Sequence, residues 1–167
     1  MAFLSAEEKA AVSEEVRRAA SEGDSDAVTL LLAKGIDIDD KDSNGRSALF
    51  FATQKGHLDT VRRLIFHGAD VQIKDVSGRS LLSVAAEGGH EELVIVFVMF
   101  GVDPNVQDDR GWTALMEASK GGNIDVVRRL LELSADPKII NAVGESSSAV
   151  ASQHGHLHLL SLLNSHL

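Results

Sequence analysis

Short apolar runs alternate with polar turns along this chain, in a rhythm that returns. Ala48-Leu49-Phe50-Phe51-Ala52 is followed by Gly56, then by Leu58, Val61, Leu64 and Ile65 at helical spacing, then by Gly68. The first run predicts a short helix opened by Ser47, whose hydroxyl can accept from the unpaired N–H groups of a helix start. Ser80 and Thr113 stand in the same place later on. Gly56 falls where a left-handed residue closes the first helix. A second helix is predicted from about Leu58 to His67. The polar stretch after it carries Asp70 and Asp75, and aspartate suits a turn because its carboxylate accepts from the N–H two residues on.

The pattern recurs every 33 residues. Gly45 maps onto Gly78, Gly111 and Gly144, and Gly56 onto Gly23, Gly89, Gly122 and Gly155. Asp70 maps onto Asp37, Asp103 and Asp136, and Asp42 onto Asp75, Asp108 and then Asn141. A period of this length means stacked supersecondary units. Each is too small to hide its own apolar side and buries it against its neighbours.

The remaining elements follow from phase. Ser5 to Ser21 predicts a helix, with Ser5 and Glu8 as a capping box. Ala10, Val12, Val16, Ala19 and Ala20 form its apolar side, and its many charges suit a terminal cap. Its partner helix runs from Asp26 to Lys34 and carries Val28, Leu30, Leu31 and Leu32. The β-branched run Leu93 to Phe100 could be a buried strand taken alone, but Gly89 and Gly101 hold their columns and favour a helix. Its core set is then Leu93, Val94, Phe97 and Val98. That leaves Ile95, Met99 and Phe100 on the outer side, with Phe66 in the column of Met99. Ser134 replaces a helix-ending glycine and is expected in a left-handed conformation. The closing stretch, with Ser146-Ser147-Ser148 and then His156 to Leu163, predicts a degraded C-terminal cap of low stability.

These motifs resemble the ankyrin repeat. The family pattern Thr-Pro-Leu-His-x-Ala is matched by Ser-Ala-Leu-Phe-Phe-Ala at 47–52, Ser-Leu-Leu-Ser-Val-Ala at 80–85 and Thr-Ala-Leu-Met-Glu-Ala at 113–118. Gly-His recurs at 56–57, 89–90 and 155–156, and Gly-Ala-Asp stands at 68–70. The family proline is replaced by Ala48, Leu81, Ala114 and Ser147. The family histidine is replaced by Phe50, Ser83, Met116 and Ala149, which removes its usual bonds between neighbouring repeats. The resemblance implies an all-α ankyrin-repeat solenoid of helix-turn-helix units joined by β-turn or hairpin loops. It implies one domain over 1–167, with five repeats at about 5–41, 42–74, 75–107, 108–140 and 141–167, the first and last being degenerate caps.

Composition narrows the function. A net charge of −9 argues against a nucleic-acid backbone as main partner. The chain has no cysteine, which excludes thiol chemistry and suits a reducing interior, cytoplasmic or nuclear. The opening Met-Ala-Phe-Leu-Ser-Ala lacks the basic flank and apolar core of a signal peptide. The apolar run Leu93 to Val102 is too short to span a bilayer. The opening Met and the degraded last repeat favour a complete protein over a segment of a longer one.

Candidate chemistry is sparse. The acids recur in turn columns, with no shielded pair of carboxylates. His57, His90 and His156 share a column and are expected about a repeat apart, roughly 10 Å for packed helix pairs, whereas zinc ligands must each reach one ion. His154, His156 and His158 form a weak local cluster. There is no nucleophile elbow, phosphate loop or dinucleotide fingerprint. No catalytic, cofactor or metal residue is expected.

In the ankyrin family, partners dock on the concave face made of turn tips and first helices. Carried onto this chain, that face comprises Ser43, Asn44, Arg46, Gln54 and Lys55, then Ser77, Arg79 and Glu87, then Arg110, Trp112 and Lys120. Arg46, Arg79 and Trp112 share one column. The expected function is a non-enzymatic protein-interaction module, a scaffold, adaptor or inhibitor, that takes an acidic or mixed-charge segment of another protein. The first alternative is self-association, including a homodimer, or docking through the convex residues Phe66, Ile95, Met99 and Phe100. The second is a regulatory part of a larger enzyme.

Overall fold

The computed structural model describes residues 4–166. Met1, Ala2 and Phe3, which open the stretch lacking signal-peptide features, and Leu167, which ends the predicted last repeat, lie outside them. The chain divides into two compact units, the first ending at Val76 and the second beginning at Ser77.

The first unit holds α1 (Ala6–Glu22), α2 (Ser25–Leu32), α3 (Ala48–Gln54) and α4 (Leu58–Phe66). Ser5 opens α1 with the predicted capping box: its hydroxyl accepts from the Glu8 N–H at 3.2 Å, and its own N–H donates to Glu8 Oε2 at 2.7 Å. Asp24 caps α2, which begins at Ser25, one residue before the predicted start at Asp26, and ends at Leu32, two residues before the predicted end. α1 packs on α3 and α2 on α4, so first helices lie beside first helices and second beside second. Val16, Ala20, Val28, Leu49, Phe50, Val61 and Leu64 form the core. The run Leu30-Leu31-Leu32 is not all inward: Val28 is the buried residue of α2, and Leu30 is 72% exposed. In so short a helix only one narrow stripe can face the neighbour.

The second unit holds α5 (Leu81–Glu87), α6 (Glu91–Met99), α7 (Ala114–Gly121), α8 (Ile124–Glu132), α9 (Ser147–Gln153), a 3-10 turn at Leu157–Leu159 and α10 (Leu160–Asn164). α7 packs between α5 and α9, and α6 packs on α8. The β-branched run 93–98 is helical, with Leu93, Val94 and Phe97 buried. Met116 fills the family-histidine position of its repeat and is fully buried, as Phe50 is in the first unit. Both turn a polar bridging position into core. Ser146 does cap α9, accepting from the Ala149 N–H at 3.3 Å.

The glycine columns share backbone settings. Gly45, Gly78, Gly111 and Gly144 have φ of 75°, 75°, 76° and 85°, and Gly23, Gly56, Gly89, Gly122 and Gly155 lie between 72° and 78°. Ser134, at φ 69°, is the one non-glycine residue with positive φ among the described residues. The turn aspartates behave as their chemistry predicts. Asp37, Asp70, Asp103 and Asp136 each accept from the N–H two residues on, at 2.8–3.0 Å.

Bonds between repeats survive the loss of the family histidine. The Val76 N–H donates to the Asn44 carbonyl at 3.0 Å in the first unit. The Asp109 N–H donates to Ser77 and the Ala142 N–H to Arg110 in the second, at 3.1 and 2.9 Å. The histidines of the Gly-His pairs add to this. His57 Nε2 bonds the Ser21 carbonyl at 2.9 Å, and His156 Nε2 bonds the Lys120 carbonyl at 3.0 Å. A carbonyl can only accept, so the Nε2 proton is on each ring.

Candidate interaction surface

In the first unit, the turn before α3 is tied by one carboxylate. Asp42 Oδ1 accepts from the Asn44 and Arg46 N–H groups, both at 2.9 Å, and Oδ2 accepts from Arg46 Nε at 2.9 Å. The Arg46 guanidinium folds over the Phe51 ring, 4.7 Å from its centroid. Burial works against the Asp42 charge, but these hydrogen bonds and the Arg46 cation outweigh it and hold the carboxyl below its ordinary value. Ser43 and Asn44 are exposed at the turn tip, and Gln54 and Lys55 are exposed where α3 ends.

α1 belongs to this face, which the sequence reading did not include. Glu14, Arg17, Arg18 and Ser21 of α1, with Asp42 and Phe51, line an open hollow of about 710 Å³. Its signal was length: α1 has 17 residues, against 7 in α3.

In the second unit, the same turn geometry returns around Asp108. Oδ1 accepts from the Arg110 and Trp112 N–H groups at 2.9 and 2.8 Å, and Oδ2 accepts from Arg110 Nε and Nη2 at 3.2 and 3.0 Å. Arg110 Nη2 also donates to Glu117 Oε1 at 3.2 Å. Trp112 is half-buried, not bare. The Arg110 guanidinium lies 5.1 Å and the Lys120 ammonium 5.7 Å from its ring. Arg79 Nη1 donates to Glu87 Oε2 at 2.9 Å. Ser77 is exposed at its turn tip.

Each arginine of the predicted face is therefore already paired with a carboxylate of its own unit. The arginine columns are visible in the sequence, but their neutralisation is not. It depends on turns that bring Asp42 and Asp108 back onto side chains two and four residues on.

Glu117 was also missed. It is 3% exposed, with Oε1 on Arg110 and no hydrogen-bond partner for Oε2 among the described residues. Burial pushes its carboxyl above the ordinary value and the Glu87 charge adds to this, while Lys120, Arg110 and Arg79 oppose it without prevailing. The sequence held a signal for it: Phe51, Val84 and Val150 occupy the same column.

The outer residues divide. Phe66, in the first unit, is 86% exposed; Met99 and Phe100, in the second, are 78% and 57% exposed. Ile95 does not join them fully and is half-buried. It sits mid-helix, where α6 packs on α8, whereas Met99 and Phe100 lie at the open end of α6. Among the described residues no group of three or more His, Asp or Glu is placed to hold a metal ion, and no helix is long and apolar enough to cross a membrane. His154 Nδ1 bonds the Val150 carbonyl, and His158 Nε2 the Gly122 carbonyl.

A family profile described as Ankyrin repeats (3 copies) matches residues 16–108 and residues 82–166. A search of curated proteins finds no match.

Proposed function

Since the chain belongs to the ankyrin-repeat family, whose members generally serve as protein–protein interaction modules, we propose that it is a non-enzymatic adaptor, scaffold or inhibitor that docks an extended segment of another protein. The docking face is the turn tips and first helices: Ser43, Asn44, Arg46, Gln54 and Lys55 in the first unit, and Ser77, Arg79, Glu87, Arg110, Trp112 and Lys120 in the second. The observation that carries this reading is the cluster around Trp112. A large aromatic ring is flanked by Arg110 and Lys120 on a face where Arg79 and Glu87 also stand, and Trp and Arg are the residue types that dominate binding hot spots.

Of the two partner chemistries, mixed charge fits better than acidic. Arg46, Arg79 and Arg110 already face Asp42, Glu87 and Asp108, at 2.8, 2.9 and 3.0 Å. An acidic segment would have to break those pairs; a mixed one can exchange partners with them. The lack of cysteine suits a cytoplasmic or nuclear setting. The test is to capture the partner, then measure its affinity by calorimetry for Trp112→Ala and Arg79→Glu. Weakening by at least about tenfold is expected for a hot-spot aromatic, and unchanged affinity for both variants counts against this face.

A second reading has its own observation. Phe66, Met99 and Phe100 each keep more than half their surface in water, and exposed large apolar side chains gain by being covered. Self-association through them predicts light scattering that rises with concentration and is relieved by Met99→Lys. A strict monomer unaffected by that change removes it.

A further inference from the structure

Among the described residues, three buried side-chain oxygens have no hydrogen-bond partner: those of Thr60 and Ser147, and Glu117 Oε2. A hydroxyl left alone is a small cost, but a carboxylate left half-served is a large one. Nothing in the repeat asks for it. In the column of Glu117, Arg18 is exposed, Phe51 is half-buried, and Val84 and Val150 are buried, so within the second unit an apolar side chain satisfies the packing there.

The chain's own cations do not meet the need. Arg110 reaches Oε1 but spends its Nε and its other contacts on Asp108. Arg79 is held by Glu87. Glu87 is a second carboxylate close enough to disfavour the Glu117 charge, and burial with Glu87 outweighs Lys120, Arg110 and Arg79 together. Burial therefore leaves the Glu117 charge under-compensated, even with three cations near it. Arg110 stays tied to Asp108 and Glu117 through Nε and Nη2, whereas the Lys120 side chain is exposed and its end can swing away. The Trp112 ring beside them already carries two cations and offers a face that favours a third in place of Lys120.

We propose that Glu117 is the recognition anchor of the second unit's face, and that it accepts a basic side chain, lysine or arginine, from an extended partner segment. This rests on the reading of that face as a docking surface. The incoming cation displaces Lys120 from Trp112, donates to Glu117 Oε2 and lies near Glu87. The net charge of −9 favours approach by the basic residues of a mixed-charge segment, since complementary charge raises encounter rates. The arginines of the face then act as partners that hold the carboxylates in place, not as the recognising charges.

The probe is a library of random peptides displayed on phage and panned on the whole chain. Peptides selected by the wild type are expected to share a lysine or arginine at one position. Replacing that residue by alanine should weaken binding to the wild type by at least about tenfold, the cost of leaving a buried charge unpaired, and should change nothing for Glu117→Val. Glu117→Gln keeps the shape and should behave as Glu117→Val does, so misfolding cannot imitate the result. Selected peptides without a shared basic residue, or an alanine effect equal in wild type and variants, overturn the anchor and leave the docking face standing. Peptides that bind the Trp112→Ala, Arg79→Glu double variant unchanged, or a library that yields no binder, overturn the docking face and the anchor with it.

Discussion

Replacing Glu117 by valine should make this protein more stable. The wild-type carboxylate is nearly sealed from water, one of its oxygens has no partner, and Glu87 repels it. An unsatisfied buried acceptor costs about 1–3 kcal/mol. Valine removes that cost and matches Val84 and Val150 in the same column. What is lost is the contact with Arg110, worth about 0.5–1 kcal/mol because Arg110 is half in water. Arg110 keeps Asp108, so no charge is orphaned. The net expectation is a gain of about 1–2 kcal/mol at pH 7, or roughly 2–8 °C in melting temperature for a domain of this size. The pH dependence gives the sharper check. The folded carboxyl titrates above its ordinary value of 4.5. Below that value both folded and unfolded states are protonated and the part of the penalty due to charge vanishes. As pH rises the unfolded chain ionises first, so wild-type stability falls until pH passes the raised folded value. Urea unfolding of both proteins from pH 4 to pH 8 should show a gap between the curves that is smallest at the acid end and widens above it. A variant less stable than wild type at pH 7, or a gain equal at pH 4 and pH 8, refutes the reasoning.

Three further outcomes are expected. Ser134→Gly should stabilise by about 1 kcal/mol in urea unfolding, because Ser134 holds φ 69° where an L side chain is strained. Gly111→Ala should destabilise by at least about 1–2 kcal/mol: φ is 76°, and a Cβ there would lie 2.8 Å from the Ala142 backbone nitrogen. Asp42→Ala should lose about 1–2 kcal/mol at pH 7 through its turn hydrogen bonds. The folded Asp42 carboxyl sits below its ordinary value of 3.8, so its contribution is present above that value, is lost as pH falls through the folded value, and leaves wild type and variant alike in strong acid.

The fold was legible because its determinants are local and repeated. A left-handed residue after a helix wants glycine wherever it falls, so Gly23, Gly56, Gly89, Gly122 and Gly155 declare one backbone setting, and their φ values agree. The Asp columns are equally local, each carboxylate serving an N–H two residues on. The phase they set decided for helix at 93–98, where β-branched residues alone pointed the other way. Exposure was less legible. Whether Leu30 faces water or Ile95 is partly covered depends on how closely neighbouring helices approach, and periodicity carries no distance. Charge pairing was least legible. Arg46 and Arg110 read as free cations in a list of residues, but a turn that points Asp42 and Asp108 back at them makes each a neutral pair.

That contrast says where in such a chain to look for partner specificity. A column occupied by the same kind of residue in every unit reports what the stack needs to stand. A residue that breaks its column is released from that duty or works against it. Ser134 is a break that strains the backbone, and Glu132 one that sets a carboxylate where Phe66 and Met99 stand in the repeats before it. Glu117 differs in kind: it is buried like Val84 and Val150 of its column, yet charged and half-served, so the stack bears its cost without using it. A cost kept at a site that packing could fill with valine is what a binding residue looks like before its partner arrives. The stability gain and the loss of basic-residue recognition should therefore appear together in Glu117→Val. A variant that gained stability and kept that recognition would mean that Glu117 is only a packing defect, and that the face around Trp112 draws its specificity from the paired arginines instead.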